Sequence, residues 1–71
     1  MTYLKFIKNP RLRERATDTW DVTNLNGMML GVIMWATGWR KYCFFPMENT
    51  QFDPSCLREI ADFCAHETEY R

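Results

Sequence analysis

The feature that most constrains the fold is an apolar run at residues 28–36, which lies between two turn signals. Asn26-Gly27 precedes the run, and this pair is a strong hairpin signal because both residues tolerate positive φ. Thr37-Gly38 follows it and predicts a second turn. An apolar run of this length between two turns is typical of a central strand in an antiparallel meander.

Both faces of this predicted strand are apolar. Side chains alternate along a strand, so Ile33 and Trp35 share one face while Leu30 and Met34 share the other. One helix can cover only one face of a sheet. We therefore expect Ile33 and Trp35 to pack under a helix, and the other face to contact a partner or a second subunit.

Three further strands are predicted around this run. Residues 3–8 mix aromatic, β-branched and charged side chains, and Asn9-Pro10 ends them because proline lacks a main-chain donor. Residues 19–23 alternate, with Trp20 and Val22 on one face. Residues 39–45 form the last predicted strand, which Pro46 closes. Residues 11–18 are charged and could form a short helical turn or a loop; the loop is favoured because the segment lacks an apolar face.

A C-terminal helix is the clearest prediction of secondary structure. Asp53 is a natural N-cap, and Pro54 suits the first helical position because its ring fixes φ and its missing N–H is not needed there. Apolar residues then recur at helical spacing and predict a buried stripe. The stripe comprises Leu57, Ile60, Ala61 and Cys64, with Cys56 and Phe63 at its sides. We expect the helix to fray from about His66 onward.

Together these elements predict an α+β fold, with residues 1–71 as a single ββββα domain. It consists of a small antiparallel sheet of three to four strands in a meander, with one C-terminal helix packed on one face. The chain of 71 residues has room for one domain. The sequence does not specify where the first strand lies relative to the other three.

Composition excludes several classes of protein. Nine Lys and Arg balance nine Asp and Glu, so the chain has neither the negative excess of a DNA mimic nor the positive excess of a basic nucleic-acid coat. A hydrophobic content of 46% is too high for a disordered segment. The longest largely apolar, uncharged stretch has about 13 residues, whereas a membrane span needs about 20.

The cysteines indicate a reducing compartment. Cys43, Cys56 and Cys64 are an odd number without CxxC spacing, whereas small secreted domains usually carry paired cysteines. Lys5 and Lys8 interrupt the N-terminal apolar stretch, which argues against a secretory signal. We expect a cytoplasmic protein whose cysteines serve as small hydrophobic side chains.

No catalytic, metal or cofactor site is predicted. Cys64 and His66 are two positions apart on the predicted helix, so their side chains point in different directions and cannot form a nucleophile–base pair. Cys56, Cys64 and His66 lack a recognised zinc-ligand spacing. The three glycines are dispersed, so they do not form a phosphate-binding loop.

Several segments resemble a family of small proteins encoded by bacteriophages and other mobile elements. The most specific is Trp39-Arg40-x-Tyr42-x-Phe44-x-Pro46. It is accompanied by Tyr3-Leu4-Lys5-Phe6, by Leu30-Gly31-x-Ile33-x-Trp35, and by Phe52 with Cys56-Leu57-Arg58-Glu59-Ile60-Ala61-Asp62-Phe63. The resemblance implies a short accessory product that acts in the cytosol of a bacterial host, and it transfers no catalytic residue.

Charge is unevenly distributed along the chain. Residues 1–46 hold seven Lys and Arg against three Asp and Glu, whereas residues 47–71 hold two against six. Arg11, Arg13 and Arg15 could contact phosphates while an exposed Trp20 or Trp39 stacks on bases. Acidic residues interrupt this basic region. A small nucleic-acid-binding module is therefore the alternative hypothesis.

The leading hypothesis is a non-enzymatic protein that binds, and could inhibit, a host bacterial protein such as a defence or regulatory factor. Trp, Tyr, Arg and Met are abundant, and protein interfaces favour these residue types. A homodimer through a sheet edge or the apolar sheet face is also compatible with the sequence, whereas a membrane partner is not expected. The candidate partner-binding residues are Arg11, Arg13, Arg15, Trp20, Met34, Trp39 and Arg40.

Overall fold

The computed structural model describes residues 3–10 and 16–70, which form four strands and one helix in the order ββββα. All strand pairs are antiparallel, and the order across the sheet is β1-β2-β3-β4. The small α+β fold with a C-terminal helix is therefore confirmed. The elements are β1 Leu4–Lys8, β2 Trp20–Asn24, β3 Met29–Ala36, β4 Lys41–Pro46 and α1 Pro54–Glu69.

Each strand lies beside its neighbour in sequence, and this order places β1 at one edge of the sheet. Phe6 lies opposite Val22 in the β1–β2 pair. Trp20 lies opposite Ile33 in the β2–β3 pair. Because facing residues of paired strands share a face, these four side chains point to the same side of the sheet.

The core lies between this face and α1. Its buried residues are Leu4, Trp20, Val22, Ile33, Tyr42 and Ile60. Aromatic contacts connect the sheet to the helix. The ring of Phe63 stacks on Phe6 with centroids 4.3 Å apart and meets Trp20 edge-on at 5.2 Å. Trp35 packs against the same core, as expected for the face that it shares with Ile33.

The helix begins as predicted. Asp53 is its N-cap, and the carboxylate Oδ1 accepts a hydrogen bond of 2.8 Å from the Cys56 main-chain N–H. Pro54 occupies the first helical position. The last helical residue is Glu69, so the helix continues further than the expected fraying near His66.

The predicted apolar stripe of the helix is partly wrong. Ile60 is buried and Cys64 packs on the core, but Ala61 and Leu57 are exposed, the latter with 51% of its surface accessible. Cys56 and Phe63 take their places. The helix is rotated because the large Phe63 ring, which has two aromatic partners, buries more apolar area than Leu57 and Ala61 can offer.

Residues 25–28 join β2 and β3, and the hydrogen-bonded pair Asn24–Met28 closes a three-residue turn. The Asn24 N–H donates to the Met28 carbonyl and the Gly27 N–H donates to the Asn24 carbonyl, both at 3.1 Å. Gly27 has φ of +88°, while Asn26 has negative φ. The hairpin predicted from Asn26-Gly27 is present, and only Gly27 uses the left-handed conformation, because a three-residue turn of this kind needs one such residue, in its last position.

The β3–β4 turn is longer than predicted. The Ala36 carbonyl accepts hydrogen bonds from the N–H groups of Trp39 (3.1 Å) and Arg40 (2.8 Å), so both residues belong to the turn. Arg40 has φ of +53°. The last strand consequently begins at Lys41 instead of residue 39.

The last turns of α1 lie against the start of β4. The Thr68 Oγ1 atom accepts a hydrogen bond of 3.0 Å from the Tyr42 main-chain N–H and donates one of 2.8 Å to the Cys64 carbonyl. The end of the helix is thus attached to the edge of the sheet. No helix in the described part of the chain is long and apolar enough to cross a membrane.

Candidate functional site

The residues predicted to bind a partner fall into four groups. Arg11, Arg13 and Arg15 lie outside the described residues. Trp20 lies in the core, with only 6% of its surface exposed, and contacts Tyr42 and Phe63 edge-on. It is therefore removed from the candidate surface, because a side chain enclosed by core aromatics cannot reach a partner.

The β3–β4 turn exposes the second candidate tryptophan. Trp39 has 74% of its surface accessible, more than any other exposed large hydrophobic residue in the described part of the chain. Arg40 and Lys41, which follow it, are also exposed. Because Arg40 is held in the left-handed region by the turn, the backbone presents an aromatic and two cationic side chains at one end of the sheet.

The sheet face opposite α1 carries the remaining candidate, Met34, among other apolar side chains. We call it the open face. Its central row crosses all four strands, because Ile7 pairs with Asp21, Asp21 with Val32, and Val32 with Phe45. A second row contains Met34 and its partner Cys43. By alternation, the open face comprises Lys5, Ile7, Asp21, Val32, Met34, Lys41, Cys43 and Phe45.

Several apolar side chains of the open face are accessible to solvent. Ile7 has 48% and Phe45 40% of its surface exposed, while Val32 and Met34 are half-buried by their neighbours. The expectation that β3 is apolar on both faces agrees with this arrangement for Met34. Leu30, which was expected beside Met34, instead packs against the core, because the β2–β3 register shifts next to it, between Val22 and Thr23. That a partner or a second subunit contacts the second face stays a prediction.

One carboxylate lies within the apolar row. The Asp21 Oδ1 atom accepts a hydrogen bond of 3.0 Å from Asn9 Nδ2, which also contacts Thr19 Oγ1 at 3.2 Å. Lys5 lies on the edge strand beside it, and Lys41 on the opposite edge strand. The open face therefore has an apolar centre with one fixed negative charge and a cationic residue towards each edge.

The candidate residues named from the sequence did not include Ile7, Val32 or Phe45, although alternation along the apolar run already places Val32 on the same face as Met34. A signal for Ile7 and Phe45 was present, since each alternates with core residues of its own strand, namely Phe6 and Phe44. That alternation places them opposite the helix once the helix-facing residues are known. Their alignment in one row depends on the strand register, which single strands do not reveal.

A shallow cleft of about 350 Å³ separates the beginning of β4 from the end of α1. It is lined by Lys41, Tyr42, Cys64, Ala65, Thr68 and Glu69. Burial, with a smaller contribution from nearby Cys43, raises the pKa of the Cys64 thiol to about 11. Because so little thiolate is present near neutral pH, this cysteine is poorly suited to nucleophilic chemistry.

The single histidine, His66, contacts Glu67 and Tyr70. The Nδ1 atom of His66 is 3.3 Å from the Glu67 carboxylate, and its ring lies 4.8 Å from the Tyr70 ring. Among residues 3–10 and 16–70, no cluster of three His, Cys, Asp or Glu side chains could hold a metal ion.

Comparison with known proteins supports the expected phage relationship. No protein-family model and no solved structure matches the chain. A protein described as "Uncharacterized 9.3 kDa protein", from Acholeplasma phage L2, is 33% identical over 64 residues, covering 86% of this chain and 78% of the phage protein. That the Trp39–Pro46 block is the most specific signature stays a prediction. The chain belongs to the same family as this small phage protein.

Proposed function

We propose that the chain is a non-enzymatic accessory protein of a bacteriophage or mobile element that binds, and thereby inhibits, a host bacterial protein. The open face is the observation that carries this proposal. Exposed contiguous apolar surface on a small protein marks interaction sites. Here Val32, Met34 and Phe45 form such a surface on β3 and β4, and Asp21 of β2 lies between it and Ile7 of β1. The phage relative supports action within a bacterial host cytosol.

The chemistry of the open face favours a protein partner over a nucleic acid. Ile7, Val32 and Met34 are aliphatic or thioether side chains, and Phe45 is the only aromatic ring among them. Base recognition on a sheet depends on several stacking aromatic rings. Asp21 would also repel phosphate, whereas a methionine adapts well to an irregular protein surface.

The test is an affinity capture from bacterial lysate with the wild-type chain and two variants. Phe45→Asp places a charge on the open face. Leu57→Asp places the same charge on the exposed side of α1, where Leu57 is about as accessible as Phe45. We expect one host protein to be retained by the wild type and by Leu57→Asp but lost with Phe45→Asp, as judged by mass spectrometry.

Capture is repeated after nuclease treatment, and the melting curve of each variant establishes that it is folded. A partner that remains bound to Phe45→Asp would remove the open face from the proposal. A partner that disappears with nuclease would transfer the proposal to nucleic acid. Assay of the retained host protein with and without the chain then measures inhibition.

Nucleic-acid binding is the second candidate, and the exposed Trp39 beside Arg40 and Lys41 is the observation that favours it. A solvent-exposed aromatic ring next to two cations can stack on a base while the cations contact phosphates.

The second candidate predicts affinity for single-stranded oligonucleotides that falls steeply as salt concentration rises. Trp39→Ala should weaken binding about tenfold or more through the lost stacking. Trp39→Phe, which keeps an aromatic ring, serves as the control and should retain most of the affinity. An oligonucleotide titration at two salt concentrations measures both effects, and absence of binding at low salt would exclude this function.

A further inference from the structure

The two edges of the sheet differ in how many main-chain groups they offer to another strand. The Met47 N–H donates to the Leu30 carbonyl at 2.9 Å, so the odd-numbered residues of β4 direct their main-chain groups towards β3. The main-chain groups of Tyr42, Phe44 and Pro46 therefore point away from the sheet. Tyr42 N–H is already bonded to Thr68, and Pro46 has no N–H. The β4 edge retains one free donor, at Phe44.

The β1 edge, by comparison, keeps all of its outward main-chain donors and acceptors unpaired within the described chain. The Asn9 N–H donates to the Thr19 carbonyl at 2.9 Å, which directs the odd-numbered residues of β1 towards β2. Leu4, Phe6 and Lys8 consequently point their N–H and C=O groups away from the sheet. None of these groups bonds to any other residue in the described chain. An extended strand is the partner that satisfies such a row.

A second copy of β1 fits this row by symmetry. Two β1 strands related by a twofold axis through Phe6 would place Phe6 opposite its counterpart and Leu4 opposite Lys8 of the second copy. All of these residues point outward, so their groups match in register. Each such pair exchanges two hydrogen bonds, which gives about six across the interface.

The same register brings opposite charges together on the open face. Lys5 would lie opposite Ile7 of the second copy, and Ile7 is paired with Asp21 in its own sheet. The α-carbons of Lys5 and Asp21 of the second copy would thus be two strand spacings apart, about 10 Å. The long lysine side chain can cross the exposed Ile7 and approach that carboxylate, and symmetry provides the contact twice.

We propose that the chain forms a homodimer through antiparallel pairing of its β1 strands, which produces a continuous eight-stranded sheet. Lysines on an edge strand deter pairing with strands in general. A second copy is favoured over an unrelated strand because it supplies a carboxylate at the position that Lys5 reaches. Lys8 is further balanced by Asp18 of its own chain, at 3.5 Å. The proposal does not depend on what the open face binds.

The first test is sedimentation of the purified chain over concentrations from about 10 μM to 1 mM. We expect the mass to rise from the 8.6 kDa of one chain to twice that value. A monomer at every concentration would overturn the proposal and leave the β1 edge to a strand of another protein.

The second test removes the outward donor without a core change. Lys8→Pro deletes the N–H that points away from β2, and edge strands tolerate proline at such positions. Lys8→Ala, the matched control, loses the same charge but keeps the N–H. We expect Lys8→Pro to raise the dimer dissociation constant about tenfold or more over that of Lys8→Ala. Equal dissociation constants would show that dimerisation uses another surface.

A charge reversal tests the register. Lys5→Glu should weaken the dimer by opposing Asp21 of the second copy, and adding Asp21→Lys to the same chain should restore it. Lys41→Glu, on the far edge strand, should have little effect. In a mixture of labelled and unlabelled chains, a nuclear Overhauser effect between the α-protons of Lys5 and Ile7 would identify the pairing directly. A dimer without rescue and without this effect would contradict the β1 arrangement.

Discussion

At the scale of single residues, the thiol of Cys64 gives the molecule a pH dependence on the alkaline side. Burial raises its pKa from an ordinary value near 9 to about 11, so the unfolded chain loses this proton at a lower pH than the folded chain. Stability therefore declines as pH rises from about 9 to about 11.

We expect the free energy of unfolding, from urea titrations at a series of pH values, to fall across that interval. Cys64→Ala should remove this part of the slope while lowering stability at neutral pH through lost packing. Cys43→Ala provides a comparison in which the buried thiol remains. An unchanged slope in Cys64→Ala would assign the alkaline loss to another group.

Gly31 is required by a close approach of neighbouring atoms rather than by its backbone angles. A Cβ atom at this position would lie 2.5 Å from Phe44 Cε1 and 2.6 Å from the Phe45 carbonyl oxygen. The aromatic ring can turn, but the carbonyl belongs to the paired strand and cannot move without disturbing the ladder.

Gly31→Ala should accordingly lower the free energy of unfolding by about 1–3 kcal/mol, the usual cost of overpacking. Gly38→Ala is the control, because a Cβ there would have no neighbour within 4 Å. Chemical denaturation of both variants gives the comparison. Equal stabilities would mean that β3 and β4 separate locally at little cost.

Residue types alone could not assign the tryptophans of the candidate site. Trp20 and Trp39 are equally apolar, yet one is enclosed by Tyr42 and Phe63 and the other is largely exposed. The difference arises because the left-handed Arg40 extends the turn and removes Trp39 from the strand. Arginine is not a typical residue for the left-handed conformation, so the residue types of this segment do not predict the longer turn.

At the scale of elements, the start of α1 is where sequence and structure agree best. The Asp53 cap and Pro54 are local signals, because both act on main-chain groups within one turn. The hydrogen bond from the Cys56 N–H lowers the pKa of the Asp53 carboxyl. This contribution to stability is present above the ordinary value of 3.8 and is lost as pH falls through the lowered pKa.

Asp53→Ala should therefore lower the melting temperature at pH 7, with the difference from wild type shrinking in acid. Asp53→Asn should keep most of the stability, since its amide oxygen can also accept the Cys56 N–H, but it should lack the acid dependence. Thermal melts of both variants at pH 7 and pH 3 test the cap. If Asp53→Ala lowers the melting temperature equally at both pH values, the charge of the Asp53 carboxylate does not contribute to the cap.

The rotation of α1 and the length of the hairpin loops could not be predicted from the sequence. Both Leu57 and Phe63 satisfy helical spacing, and the choice depends on Phe6 of β1, which is distant in sequence. The β2–β3 turn has three residues because the Asn24 side chain accepts the N–H groups of Asn26 and Met28, each at 2.9 Å. Such side-chain contacts distinguish loops that share one turn signal.

At the scale of the whole molecule, the fold depends on a single helix covering a single face. Ile60 is the buried helical residue at the centre of this contact. Ile60→Asp would bury an unpaired charge and should unfold the sheet together with the helix. Circular dichroism and tryptophan fluorescence should then change together. Leu57→Asp, at an exposed position three residues earlier, should fold normally; if it behaves like Ile60→Asp, the helix register described here is wrong.

The fold class was predictable because each strand and the helix carries its own period of apolar residues. The position of β1 at an edge was not predictable, since its alternation fits beside either β2 or β4. The consequences for binding follow from that position, because no described residue covers the β1 edge, whereas Thr68 bonds the Tyr42 N–H on the β4 edge.

The stacked pair Phe6 and Phe63 joins the first strand to the last element, and this arrangement affects how the protein is made. On the ribosome, all four strands emerge before α1 is available. During that interval Trp20, Val22 and Ile33 have no cover, so the nascent sheet exposes the apolar surface that later becomes the core. Folding is then completed only after α1 has emerged. Slow translation of the codons for α1 would lengthen the exposure of the unfinished sheet to chaperones and proteases.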